Sequence, residues 1–161
     1  MAGSTTKKAV IQRFDREPLA GYVNPVSFLQ VGGVEWISAT GVASTVPFTE
    51  IRLVAFVRDF EPAGPEARAV FQTRPKMEGL WVSLQFRDGQ VMEGILPNNL
   101  LPYEPYGFTI TPPDTHGNTQ RIFVPRMALN SVEVLGVVGS PLKRRKPKPA
   151  GGEDQIQLFD R

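Results

Sequence analysis

The 161-residue chain contains no cysteine and a single histidine. The first absence excludes disulfides and thiolate metal sites. The second leaves imidazole chemistry to one ring, His116, in the stretch PPDTHGN (112–118). Asp114, Gly117 and Asn118 around it are turn formers, so His116 reads as a loop residue, not as a catalytic base. No HExxH, GxSxG, P-loop or GxGxxG string occurs, and the carboxylates of Asp59, Glu61, Asp88 and Asp114 do not follow a metal-ligand spacing. The expectation is a non-enzymatic protein without metal or cofactor. No run approaches the roughly eighteen apolar residues of a membrane span. The opening MAGSTTKKAV also lacks the apolar block of a secretory signal, which gives an expected cytoplasmic location and no membrane partner. Helical periodicity is missing too, and 15 Pro with 15 Gly leave little room for long helices.

What is present divides into a body and a tail. Residues 1–140 hold 12 Lys/Arg against 13 Asp/Glu, whereas residues 141–161 hold 6 against 3, so the basic pI of about 9.1 belongs to the tail. The body repeats itself. VPFTEIRLVAFV (46–57) aligns with VPRMALNSVEVL (124–135), and FDREPLAGYVN (14–24) aligns with RDGQVMEGILP (87–97), which sets Asp15 over Asp88 and Gly21 over Gly94. The two blocks are offset by five residues relative to one another, which assigns a longer middle loop to the second copy.

Each copy reads as β. In VSLQFR (82–87) the apolar Val82, Leu84 and Phe86 alternate with Ser83, Gln85 and Arg87, and Asp88-Gly89 then supplies a hairpin turn. Similar patterns predict strands at 9–14, 18–23, 33–38 and 42–47, and at 90–96, 107–111 and 120–125, separated by Gly, Pro and Asn clusters. Gly21 and Gly94 lie inside strand-like runs, where glycine marks a sharp bend. Trp36, Trp81, Phe108 and Phe123 fall in strand positions and are expected to pack in the core.

Short bent strands ending in an apolar strand entered through a tight turn resemble an SH3-like or Sm-like small barrel. The strings FVRDF, RPKMEGLWV, PNNLL and TQRIFVPR, in that order, resemble a bacterial domain family that implies no activity. The expected architecture is all-β: two tandem SH3-like/Sm-like small barrels at 7–60 and 80–140 joined by a connector at 61–79, then a flexible C-terminal tail. That tail comprises a basic linker at 141–154 and a peptide motif at 155–161.

In the second copy Arg74, Lys76, Asn98, Asn99, Arg121 and Arg126, with Asp114, Asn118, Gln120 and Trp81 nearby, form a candidate ligand cluster, since guanidinium, amide and aromatic groups together suit a phosphate or a base. The structural alternative is that Arg58, Asp59, Arg74 and Arg126 serve ion pairs between the two copies. A cyclic-dinucleotide motif is not matched, because four residues separate Arg121 from Arg126.

The tail combines a Pro-, Gly- and cation-rich run with large apolar residues. Residues 141–154 hold only Leu142 and Ala150 as apolar groups and are expected to remain flexible. Gln155-Ile156-Gln157-Leu158-Phe159 follows, and resembles the peptide by which bacterial polymerases and repair factors dock on the β sliding clamp. The resemblance implies that Gln155 hydrogen-bonds at the pocket rim, Ile156 is the second-position aliphatic, and Leu158 with Phe159 fills the apolar pocket. Lys143, Arg144, Arg145, Lys146 and Lys148 are candidate phosphate contacts to DNA or RNA. The expected function is an adaptor of DNA replication or repair. Two alternatives are a nucleic-acid-binding module that uses the basic tail and a small-ligand sensor that uses the second barrel.

Overall fold

The alternation in 82–86 becomes a strand whose Val82, Leu84 and Phe86 are fully buried while Ser83 and Gln85 are not. The chain reverses at Asp88-Gly89: Gly89 takes φ +89°, its N–H donates to the Phe86 carbonyl, and the Phe86 N–H donates to the Gln90 carbonyl at 2.8 Å. The computed structural model describes residues 5–60, 69–114 and 117–139, and these are all-β, with two short 3-10 turns. The first unit is β1 (Lys7–Arg13), β2 (Leu19–Val23), β3 (Leu29–Gln30), β4 (Gly33–Ile37), β5 (Ala43–Pro47), a 3-10 turn Phe48–Glu50 and β6 (Ile51–Val57). The second is β7 (Gly79–Phe86), β8 (Val91–Leu96), β9 (Gly107–Ile110), β10 (Thr119–Pro125), a 3-10 turn Arg126–Ala128 and β11 (Leu129–Val138). No helix among the described residues is long and apolar enough to cross a membrane.

The aligned blocks occupy equivalent pairing positions. β6 pairs β1 with Val54 opposite Ile11 and a register shift at Arg52, and β11 pairs β7 with Val132 opposite Leu84 and a shift at Asn130. Gly21 stands opposite Ala9 as Gly94 stands opposite Val82, and Tyr22 opposite Ile37 matches the Ile95–Thr111 bridge. Gly33 opposite Pro47 matches Gly107 opposite Pro125. The segment between the last two members of the β4/β5 and β9/β10 pairs is longer in the second unit, and it contains PPDTHGN. The glycines at 21 and 94 answer to a close approach: a Cβ on Gly21 would lie 2.4 Å from the Trp36 ring, and one on Gly94 would lie 2.6 Å from Ile110. Strand β3, with only two residues, has no counterpart in the second unit and no alternation to announce it.

The units join edge to edge. β6 pairs antiparallel with β10, which produces an eight-stranded curled sheet with the path β3-β4-β2-β1-β6-β10-β9 and β5 on β4, while β11-β7-β8 forms a second sheet. β6 is buried on both faces. Its Ile51 and Val54 enter the first core with Ala9, Ile11 and Val34, and its Leu53, Ala55 and Val57 enter the second core with Val82, Leu84 and Phe86. β10 reciprocates by placing Phe123 in the first core, edge-on to Phe28 at 5.5 Å. Each core therefore contains side chains of the other unit.

Candidate functional site

The joint between units brings charged groups together on the same strands. Arg52, on β6, donates to the Asp88 carboxylate and the Gln90 side-chain carbonyl of the β7–β8 hairpin, and its guanidinium lies 4.4 Å from the Phe86 ring centre. The Asp88 carboxyl is held below the ordinary aspartate value, first by the main-chain N–H of Gln90 and also by Arg52, against an opposing effect of burial. Arg87 reaches back, donating to the Thr49 carbonyl at 2.7 Å and lying 3.9 Å from the Phe14 ring. Asn118 closes the far end: its Oδ1 accepts from the Asp59 N–H at 2.8 Å and its Nδ2 donates to the Asp59 carbonyl at 2.7 Å. These contacts explain how the units hold one orientation, and they are structural.

A groove of about 440 Å³ opens on the other side of the joint, above the end of the first core. Its position follows from register. Ala9 stands opposite Phe56, and Phe56 stands opposite Arg121, so one row crosses from β1 through β6 to β10. Residues two apart on a strand share a face, which puts Lys7 beside Ala9 and Arg121 beside Phe123. Phe28, from the β2–β3 connection, closes the apolar wall, edge-on to Phe56 at 5.5 Å. Lys8, Thr109, Gln120 and Glu104 complete the rim. Lys8 makes a 3.7 Å ion pair with the exposed Asp59, a contact of little energy. Lys7 and Arg121 are exposed and have no ion-pair partner among the described residues. The groove thus offers three cations and one carboxylate beside an aromatic wall. That is an arrangement for holding an anion attached to an apolar or planar body.

The predicted cluster of the second unit is divided among several places. Arg74 donates to the Val137 carbonyl at 2.8 Å, and Arg126 donates to the Pro105 carbonyl at 3.0 Å with its guanidinium over Phe108. Both cations therefore satisfy main-chain carbonyls, whereas the structural alternative had them in ion pairs between units. Among the described residues the cross-unit ion pair is instead Arg52 with Asp88. Arg121 lies within β10 and Arg126 opens the 3-10 turn that follows it, five residues or about 17 Å further along the chain. Lys76 and Asn98 are exposed, and the Asn99 side chain caps its own loop by accepting from the Leu101 N–H at 3.1 Å. Of the six, only Arg121 lines the groove. Trp81 is half-buried and donates its ring N–H to Glu93 at 2.9 Å; Trp36 and Phe108 pack partly buried against the two cores. Lys7, Lys8, Phe28 and Phe56 carried no chemical motif, and only the pairing across the joint makes them neighbours. Among the described residues no three His, Cys, Asp or Glu side chains converge on a metal-sized site. His116, Lys143, Arg144, Arg145, Lys146, Lys148 and the 155–159 peptide lie outside the described residues.

A model of a family of unknown function, DUF6982, matches residues 5–136. The chain belongs to that family. The match takes in both units from β1 into β11 and does not include 137–161. No curated protein and no solved structure matches the chain.

Proposed function

We propose that the protein is a non-enzymatic adaptor of DNA replication or repair, built on two SH3-like/Sm-like small barrels and docking on the β sliding clamp through Gln155-Ile156-Gln157-Leu158-Phe159. The string itself carries the reading: a glutamine, an aliphatic residue, one tolerant position and a Leu-Phe pair, preceded by the cation-rich 143–148. Two large side chains entering a preformed pocket each contribute about 1.5–3 kcal/mol by burial, and ordering so short a segment costs little, which fits a reversible contact of micromolar strength. Lys143, Arg144, Arg145, Lys146 and Lys148 add attraction to the phosphates of DNA threaded through the clamp. The barrel reading is supported by the shared strand pairings and by the 3-10 turn that precedes the last strand of each unit.

The test is a titration of purified β clamp from the same organism with the full chain and with a peptide of residues 150–161. Binding is expected for both and should disappear on the double change Leu158→Ala and Phe159→Ala. Gln155→Ala should weaken it by about 0.5–1.5 kcal/mol, the worth of one hydrogen bond. Absence of binding by the wild-type chain at high micromolar concentration would remove the adaptor reading.

A further inference from the structure

We infer that the groove over β1, β6 and β10 is a binding site for a nucleoside phosphate. This goes beyond the adaptor reading and does not depend on it, since the groove shares no residue with 155–159. Its volume of about 440 Å³ is in the range of small-ligand sites. The contents divide by chemistry. Lys7 on β1 and Arg121 on β10 flank β6 and have no ion-pair partner among the described residues, and a guanidinium can take a phosphate by two parallel hydrogen bonds while an ammonium adds a point charge. In a body whose charges sum to −1, three cations on one rim are a local concentration of the sign an anion requires.

Between Lys7 and Arg121, on β6, Phe56 is half-buried directly opposite Arg121, and Phe28 packs edge-on against it, so an aromatic surface lies beside the cations. Base-on-aromatic stacking needs such a surface and accepts any base. The polar rim then supplies selection: Thr109 and Gln120 can donate to and accept from a base edge, and the Glu104 carboxylate can accept from an exocyclic amine. A simple inorganic anion would leave the apolar wall unused, and a neutral apolar ligand would leave Lys7 and Arg121 bare. A phosphate joined to a base uses both. The same chemistry is offered by a free nucleotide and by one unit of a single-stranded nucleic acid.

The full chain should be titrated by calorimetry with AMP, with adenosine, with inorganic phosphate, and with short single-stranded DNA and RNA. AMP is expected to bind with a Kd on the order of 10–100 µM, and adenosine and phosphate each at least tenfold more weakly. The double variant Lys7→Gln and Arg121→Gln should lose tenfold or more in affinity with an unchanged thermal midpoint, because both side chains are exposed. Phe56→Leu should weaken adenosine and AMP in the same ratio. If only the oligonucleotides bind, and the double variant loses that binding while retaining its cation-rich 143–148 segment, the ligand is the strand. If AMP binds in the same way, the ligand is the free nucleotide. Undiminished binding in the double variant, or no binding of AMP or either oligonucleotide up to about 5 mM, overturns the assignment.

Discussion

Phe123 belongs to β10 of the second unit but is fully buried in the first core, where it meets Phe28 edge-on and stands opposite Val54. Changing it to alanine removes about 1.5–3 kcal/mol of burial and leaves a cavity bounded by two strands and a ring that cannot all collapse inward. The expected loss is about 3–5 kcal/mol, a large fraction of the 5–15 kcal/mol typical of a domain. Thr45 occupies the same position in β5, and there it is exposed, so Thr45→Ala should change stability by no more than about 0.5 kcal/mol. The assay is urea unfolding followed by tryptophan fluorescence. The chain has two tryptophans, Trp36 in the first unit and Trp81 in the second, so Trp36→Phe leaves a reporter in the second unit alone and Trp81→Phe leaves one in the first alone. Phe123→Ala should move both transitions to lower urea together, because each core contains the other unit's side chains. A loss below about 1 kcal/mol, or a shift seen only by Trp81, would refute the shared-core argument.

Gly33 and Gly107 are a matched pair whose Cβ atoms would lie 2.3 and 2.2 Å from the carbonyls of Val46 and Val124, so either change to alanine should destabilise by about 1–3 kcal/mol in a thermal melt. Gly107→Ala should cost more, since β10 also forms the joint. Asp88 has a folded pKa depressed below its unfolded value near 3.8, so its contribution is present above the ordinary aspartate range and is lost as pH falls through the depressed value. Arg52→Met removes one cause of that depression; between about pH 5 and pH 2 the thermal midpoint of the variant should fall less steeply than that of the wild type. Sedimentation equilibrium should give a monomer, and head-to-tail assembly through β5 and β11 would contradict the mismatch of polar residues along those two edges.

The strands were legible wherever apolar residues alternated, and the two-unit plan was legible in the Val-Pro endings at 46 and 124, because a proline before a 3-10 turn and an inward Ile or Leu after it recur for the same steric reason in both units. The run Ile51-Arg52-Leu53-Val54-Ala55-Phe56-Val57 also carried a sign of the joint: a near-continuous apolar strand is buried on both faces, whereas β11 interrupts its run with Ser131 and Glu133. Which strand covers the second face was not in the sequence, since β6 meets β10 across some sixty residues and several other edges were available. The groove was hidden for that reason. Phe56 and Arg121 fall in one row with Ala9, and Lys7 comes beside them, only when β1, β6 and β10 are in register. Arg74 and Arg126 read as members of a ligand cluster or, alternatively, as ion-pairing cations, because composition does not tell whether a guanidinium's acceptor is a ligand, a carboxylate or the main-chain carbonyl it meets here.

The joint is made from edges that recur in the chain, yet the recurrence is broken side chain by side chain. By pairing position, β11 is the counterpart of β6 and β5 is the counterpart of β10. Where β6 sends Leu53, Ala55 and Val57 into the second core, β11 has Ser131, Glu133 and Leu135. Where β10 has Ile122 and Phe123, β5 has the exposed Ser44 and Thr45. Ala55 stands opposite Ile122, so a second copy repeating the same joint would set the Glu133 carboxylate opposite Ser44, in a row with Ser83 and Trp36 and no cation. Burying that charge without a cation costs several kcal/mol, which is the device by which exposed edges avoid self-pairing. The same substitutions make the groove singular. The counterparts of Lys7 and Lys8 on β7 are Leu80 and Trp81, and the counterpart of Arg121 on β5 is Ala43. Neither outer edge can therefore reproduce the cationic rim, and the nucleoside-phosphate site exists only where the two units of one chain meet.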